Sequence, residues 1–353
     1  MQKIIVDLGE NSYNIIIEDN SLAQCGKQIR QVTRATKAAL ISDSNVYSLY
    51  GELARQSLEQ AGLAVTPIVI TPGESSKNLT TLGKVYDQLA AAALTRSDIV
   101  VTLGGGVVGD LGGLAAATYL RGVDFVQLPT SLLAQIDSSV GGKVAVDLAA
   151  GKNLVGAFYQ PKLVLIDPTL LQTLPPRYLH DGLAEAIKYG CIGDAPLFAL
   201  LQSIKSDAEL LSCMEKIVAV CCAQKARVVE ADEHDTGERM VLNFGHTIGH
   251  AVEKCFHYDK YTHGEAVGIG MVRITEQTEK LGLTPAGTAA QIKALLEQFD
   301  LPTTAAVTAE DIVAVAALDK KKQGQQLTLV ILRELGQAVL QKINCSELQK
   351  YVG

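Results

Sequence analysis

The stretch DIVVTLGGGVVGDLGGLAAATYL, residues 98–120, restricts the possible folds more than any other part of the chain. Its β-branched start reads as a strand, and Gly104, Gly106 and Gly109 fit G-x-G-x-x-G immediately before a helix-forming segment. Bare backbone at such a turn lets a pyrophosphate approach, and the helix N-terminus offers N–H groups and a favourable dipole. A strand, a glycine turn and a helix in this order belong to a βα unit of a parallel sheet. A tight turn without a ligand is the plainer alternative. Two details set this turn apart from a first-turn nucleotide site. The glycines follow several βα units, and Asp110 sits at the helix start, where it would repel a phosphate unless aimed at a ribose or a nicotinamide amide. Asp43, at the end of the earlier strand AALIS, offers an acidic contact to ribose hydroxyls.

The flanking sequence repeats the alternation. Residues 2–17 read as a hairpin turning at Gly9–Asn11, followed by a helix over 21–35, the strand ending at Asp43, and a helix over 45–62. VTPIVI (65–70) is a strand, Pro72-Gly73 a turn, and Ser75 an N-cap for a helix running to Leu94. FVQLP delivers Thr130 and Ser131. A polar, glycine-punctuated loop then carries Asp137, Lys143, Lys152 and Asn153, and KLVLI ends at Asp167. Lys and Asn spaced by glycines at strand ends suit an anionic substrate. Beyond Pro168 the pattern is helical, over 177–190, 194–203, 208–231, 241–256, 264–281, 286–299 and 309–319, before two short strands, LTLVIL and AVL. The expected fold is an α/β N-terminal domain, Rossmann-like with a mostly parallel sheet (1–172), followed by a mainly α-helical C-terminal domain (173–353).

Two domains also suit 353 residues, too many for one ordinary core. The net charge of −7 and the lack of a basic patch with interleaved aromatics argue against nucleic acid. No uncharged run approaches the ~18 residues that span a bilayer. Nothing at the N-terminus has a signal-peptide layout. Seven cysteines without a CxxC read as buried thiols in a reducing compartment, so a cytoplasmic protein is expected.

Chemistry concentrates between Arg239 and Met271, which hold four of the six histidines: His246, His250, His257 and His263. His246 and His250, four apart, share a helix face. His263 opens the next helix. Two of these imidazoles with one carboxylate would make a three-ligand site with open positions, as in catalytic zinc. Core histidines satisfied by backbone carbonyls are the alternative, since the Glu of the HExxH motif is missing. Upstream, Glu185 and Lys188 lie three apart in an apolar setting, and a buried carboxylate wants a cation or a metal.

PGESSK (72–77), GGGVVGD (104–110), YLRGVDFVQLPTSLLAQIDSSVGGK (119–143), GKNLVGAF (151–158), TLPPRYLHDGLAEAIKYG (173–190), LNFGHTIGHAVE (242–253) and HGEAVGIGM (263–271) together resemble the 3-dehydroquinate synthase family, within the sugar-phosphate cyclases. The resemblance implies conversion of 3-deoxy-D-arabino-heptulosonate 7-phosphate to 3-dehydroquinate and phosphate in the shikimate route, with NAD and one divalent metal, zinc or cobalt. It implies Glu185, His246 and His263 as metal ligands. NAD contacts carry over to Asp43, Glu74, Lys77, Gly105, Gly106, Val107, Val108, Gly109, Asp110, Thr130, Ser131 and Thr173, with Lys143 and Lys152 close by. Lys143, Asn153, Lys188, Lys225, Arg239, Asn243, His250 and Lys321, or its neighbour Lys320, are implied to surround the substrate. Arg121 is implied to reach a neighbouring subunit's phosphate pocket, hence a homodimer. Val144 departs from the Thr common after GGK, and Asp235 from the Glu usual before GxR. His180, His234 and His257 match no ligand position.

The implied reaction passes hydride from C5 to NAD, eliminates phosphate, returns the hydride, and closes the ring by an aldol step. Rival readings are a cyclase making an inosose or valiolone, a polyol dehydrogenase accumulating NADH, and an inactive nucleotide-binding module. Phosphate release without NADH accumulation separates the cyclases from the dehydrogenase.

Overall fold

The structure is a computed structural model and describes residues 1–315 and 326–353. The chain forms two compact units: residues 1–174 with 211–234, and residues 175–210 with 235–353. The first unit thus runs two residues past the expected boundary at 172 and also takes in 211–234, which lies in the expected second domain. The helix of that segment lies on the β1–β2 edge of the first unit.

The first unit holds strands β1 (Gln2–Val6), β2 (Tyr13–Ile17), β3 (Lys37–Asp43), β4 (Ala64–Ile70), β5 (Ile99–Gly104), β6 (Asp124–Pro129), β7 (Lys143–Leu148), β8 (Gly151–Phe158) and β9 (Leu163–Ile166). Its helices are α1 (Cys25–Ile29), α2 (Ser44–Val46), α3 (Glu52–Gln60), α4 (Leu79–Ala91) and α5 (Gly106–Thr118). Seven strands form one sheet in the order β1-β2-β9-β6-β5-β3-β4, parallel throughout except for β1. Both faces are covered, as parallel sheets require. In β3, Ala38 and Leu40 join Ile29, Leu58 and Leu103 on one face, while Ala39 and Ile41 join Val85, Leu111 and Phe125 on the other. After β4 the chain crosses back to place β5 on the far side of β3, which makes the β3/β5 boundary a topological switch point. Ligands of open α/β sheets bind outside the strand carboxyl ends there. Asp43 and Gly104 end those two strands.

Asp98 ties the starts of β3 and β5 together by accepting from the N–H groups of Lys37 (2.9 Å) and Thr95 (2.8 Å). Burial would raise its carboxyl, but these bonds outweigh burial and hold it below the ordinary 3.8. A depressed folded value contributes stability above the unfolded value, lost as pH falls through the folded one. Thermal unfolding followed between about pH 2 and 5 should show a shallower acid loss in Asp98→Asn than in the unsubstituted chain, and identical slopes would remove this role.

The second unit holds α6 (Pro176–Gly193), α7 (Ala195–Ser203), α8 (Asp207–Ser212), α10 (His246–Cys255), α11 (His263–Lys280), α12 (Thr288–Gln298) and a hairpin of β10 (Gln326–Glu334) and β11 (Gln337–Asn344). Between α8 and α10, helix α9 (Met214–Ala231) returns to the first unit. An α/β part and a mainly helical part are thus as expected.

Local expectations fail at several points. The segment expected as a glycine-punctuated loop carries the antiparallel hairpin β7–β8, where Gly156 lets the two backbones approach. The cap of α4 is Asn78, whose Oδ1 accepts from Thr81 N–H at 2.9 Å, and not Ser75. The helix expected over 21–35 shrinks to a 3₁₀ turn and α1. The one expected over 208–231 splits into α8 and α9, and the one over 241–256 into a 3₁₀ turn, Glu238–Asn243, and α10, because Gly245 adopts a left-handed φ of 79°. Residues 316–319 of the expected final helix, and both Lys320 and Lys321, lie outside the described residues. No helix among the described residues is long and apolar enough to cross a membrane. Among the described residues the cysteines form no disulfide, and burial pushes the Cys25 thiol up to about 11 and that of Cys222 up to about 12, the behaviour of inert core thiols.

Candidate active site

In the second unit three helices bring Glu185 (α6), His246 (α10) and His263 (α11) together. Glu185 Oε1 lies 3.7 Å from Nε2 of each histidine. That separation is long for a hydrogen bond, but an ion held at about 2.0–2.2 Å in a tetrahedral shell keeps its ligands roughly 3.4 Å apart. Glu185 is fully buried; Lys188 pairs with Oε2, while Oε1 accepts no hydrogen bond and faces the imidazoles. A buried carboxylate oxygen with no donor, beside two imidazole nitrogens, fits a divalent metal. His246 turns its Nδ1 to the Phe244 carbonyl at 3.1 Å, which leaves Nε2 as the ligand atom. Burial, with Lys188 next, holds His246 well below its usual range, so it is a neutral imidazole.

His263 is flanked by carboxylates on both sides, with Nδ1 3.6 Å from Glu253 Oε1. Burial opposes its charge, yet Glu253 and Glu185 raise it to about 9. His250, Glu253 and His263 form a second group of ligand-type atoms. With Nε2 of His263 turned to Glu185, a cation there would require removal of the remaining ring proton, so the buried Glu253 reads as the partner that orients His263. His250 is exposed, so the alternative of a core histidine does not hold for it; its ring centroid stands 5.5 Å from that of His246 and 6.2 Å from that of His263.

The convergence of α10 and α11 depends on backbone contact. A Cβ on Gly270 would overlap the Gly245 carbonyl oxygen, and one on Gly249 would come within 3.1 Å of the Ala266 oxygen. Reading the histidines alone missed this support; the signal was the glycine spacing within FGHTIGH and HGEAVGIGM, small residues recurring on one helix face.

In the first unit Gly105 caps α5, and Thr130 N–H donates to the Gly104 carbonyl, so the ends of β5 and β6 join at the glycine turn. A side chain on Gly105 would meet Ser131 Oγ at 3.3 Å, and one on Gly106 would meet Ser138 Oγ at 3.1 Å, so two hydroxyls border the turn. Ser138 was not anticipated. Gly109 lets α5 approach Gln127 of β6, the packing role of the third fingerprint glycine. Val107 and Val108 follow in the first turn of α5, whose N–H groups suit a pyrophosphate.

Asp110 does not stand alone at that helix start. Lys77 Nζ donates to Asp110 Oδ2 and Asn153 Oδ1, each at 2.6 Å, and cancels the repulsion expected from the sequence. Lys152 lies 3.8 Å from Glu74 Oε1, and Lys225 pairs with Asp137 Oδ1 at 2.7 Å. Asp43 Oδ1 accepts from Asn45 and Val46 N–H. Thr173 Oγ1 bonds Tyr50 at 2.6 Å beside a cavity of ≈ 390 Å³ also bordered by Leu22, Leu53 and Asp167. Lys143 on β7 is exposed, as is Arg121, which has a left-handed φ of 69°. In the second unit Arg239 is buried and Asn243 exposed, both in the turn before α10. Of the remaining histidines, His180 pairs with Asp207 at 2.9 Å, the exposed His234 meets the Phe158 ring edge-on, and the exposed His257 sits at a left-handed φ of 56°.

Comparison with known proteins agrees along the whole chain. Residues 67–181 match the family model described as 3-dehydroquinate synthase N-terminal, and residues 182–322 the one described as 3-dehydroquinate synthase C-terminal. The 3-dehydroquinate synthase of Clostridium acetobutylicum is 52% identical over 353 residues, covering 100% of this chain and 99% of the relative. A structure of 2-epi-5-epi-valiolone synthase from Streptomyces hygroscopicus, with NAD+ and Zn2+ bound, superposes with a TM-score of 0.87 at 27% identity, covering 97% and 96% of the two chains. A 2-deoxy-scyllo-inosose synthase in complex with carbaglucose-6-phosphate, NAD+ and Co2+ shares the fold, with a TM-score of 0.88 at 24% identity over 99% of each chain. With both halves matched and half of all positions identical to a full-length relative, the chain is a member of the 3-dehydroquinate synthase family.

Proposed function

We propose that this protein converts 3-deoxy-D-arabino-heptulosonate 7-phosphate to 3-dehydroquinate and inorganic phosphate, a carbon–oxygen lyase reaction with no net redox change. The observation that carries this reading is the full-length identity to enzymes of that name. NAD and a divalent metal are its cofactors, a reading supported by the switch-point glycine turn and by the Glu185–His246–His263 convergence. When bound, the metal supplies Lewis acidity to the substrate hydroxyls, and NAD accepts and returns a hydride.

The chain's own residues do the rest. Glu185, His246 and His263 would hold the metal, with Lys188 fixing Oε2 so that Oε1 faces the ligand position. Asp43, Glu74, Lys77, residues 105–110, Thr130, Ser131, Lys143, Lys152 and Thr173 would hold NAD. Lys143, Asn153, Lys225, Arg239 and Asn243 bind the substrate's phosphate, carboxylate and hydroxyls, and the cations stabilise departing phosphate. His250, one turn from a ligand, exchanges a proton with a substrate hydroxyl at a ring nitrogen. Orientation of one flexible substrate supplies much of the remaining rate.

The test is a phosphate-release assay with the heptulosonate phosphate, run beside absorbance at the NADH band. Phosphate release without NADH accumulation supports the reading; no release, or steady NADH accumulation, overturns it. The protein also acts as a homodimer in which Arg121 serves the neighbouring subunit, a reading supported by its exposure. Mixing Arg121→Ala with an inactive His250→Ala chain should restore part of the activity, and mixtures as inactive as their components would exclude a shared site.

A further inference from the structure

His263 is the first residue of α11, so its reach depends on where that helix is anchored. Along α6, Arg177, Asp181 and Glu185 recur every four residues and share one face. Each meets the start of α11. Arg177 donates from Nε to Glu265 Oε1 at 2.8 Å and from Nη2 to Oε2 at 2.9 Å. Asp181 Oδ1 accepts the Gly264 N–H at 2.6 Å, and Glu185 Oε1 faces His263. Gly264 permits this approach, because a Cβ there would overlap the Asp181 carbonyl oxygen. Glu265 also accepts the Thr262 N–H at 2.9 Å, so the residues on both sides of His263 are tied down.

We propose that Arg177 and Asp181 form a clamp that positions His263 in the metal centre, acting on the metal through the helix start. The inference rests on the metal reading above and deepens it. The first-turn N–H of Gly264 has no partner within its own helix, so loss of Asp181 leaves it buried without an acceptor. The helix start then shifts, and small displacements of a ligand are enough to degrade a tetrahedral site. Neither clamp residue touches the ligand position, so their effect is on affinity and coordination geometry.

The test is Co2+ titration of the metal-free full-length chain, read by visible d–d bands and by chelator competition. Asp181→Ala is expected to weaken Co2+ by roughly 10–100-fold and to alter the bands, as loss of an orienting partner does. Asp181→Asn keeps an oxygen for the Gly264 N–H and should stay within about threefold of the unsubstituted chain. Arg177→Ala, at an exposed position, should weaken binding by at least about threefold and keeps the clamp testable if Asp181→Ala does not fold. Unchanged affinity and bands in Arg177→Ala overturn the clamp. So does a loss in Asp181→Asn as large as that in Asp181→Ala. An unsubstituted chain that binds no Co2+ defeats the metal reading itself, a separate failure.

Discussion

In His263→Ala, metal occupancy and phosphate release should disappear together while the fold persists. His263 supplies one of three ligand atoms, and a two-ligand remnant of Glu185 and His246 does not close a tetrahedral site. Lewis-acid stabilisation is worth several kcal/mol and each 1.36 kcal/mol is tenfold, so turnover should fall by roughly a thousandfold or more. The substitution also takes the cationic partner from the buried Glu253 and Glu185, so the unfolding midpoint should fall while the folded spectrum is kept. Metal analysis after dialysis, phosphate release and circular dichroism check the three statements in parallel. Full metal occupancy with full activity would remove His263 from the ligand set. Glu185→Gln should act in the same direction through a different partner, because it strands Lys188, which is 1% exposed and paired with that carboxylate. Stability should fall there along with metal binding.

The second large effect is on stability. Lys77 is 5% exposed and joins Asp110 and Asn153 at the start of α5. Burial works against its charge, but Asp110 and then Glu74 outweigh burial and raise the ammonium above its ordinary 10.5. A raised folded value contributes stability that is fully present below the unfolded value and is lost only as pH rises through the folded one, so the pair operates throughout the neutral range. Lys77→Met removes the cation and leaves Asp110 desolvated without a partner, an arrangement costing about 3–5 kcal/mol. Urea unfolding at neutral pH measures it. The double variant Lys77→Met, Asp110→Leu should recover much of the loss, since replacing a buried pair by apolar groups is often neutral. A single-variant cost below about 1 kcal/mol would mean that water reaches Asp110 and the pair behaves as a surface one.

Much of the architecture was legible along the chain because its signals are local. Strand β5 is a mostly apolar six-residue run that ends on the first of the glycines, and α5 begins at Gly106, so periodicity and turn chemistry act within a few residues. The parallel order of the sheet follows from the same alternation. Where expectation failed, pairing and packing that the residue pattern does not display decided the outcome. The stretch carrying Asp137, Lys143, Lys152 and Asn153 reads as a loop, yet pairing within 143–158 makes a hairpin. Helix α9 has a helical pattern that gives no hint of which unit it packs on.

The site divides along the same line. Sequence spacing alone determined that His246 and His250 share a face and that His263 opens a helix, because helical geometry is set by neighbours in the chain. Tertiary structure decided which atoms meet: Glu185 with imidazoles from two later helices, Lys77 with Asp110, and Asp181 with Gly264. The physical reason is that ligand and ion-pair geometry depends on how closely backbones approach. That closeness comes from glycines whose missing side chains matter only once a second helix lies against them.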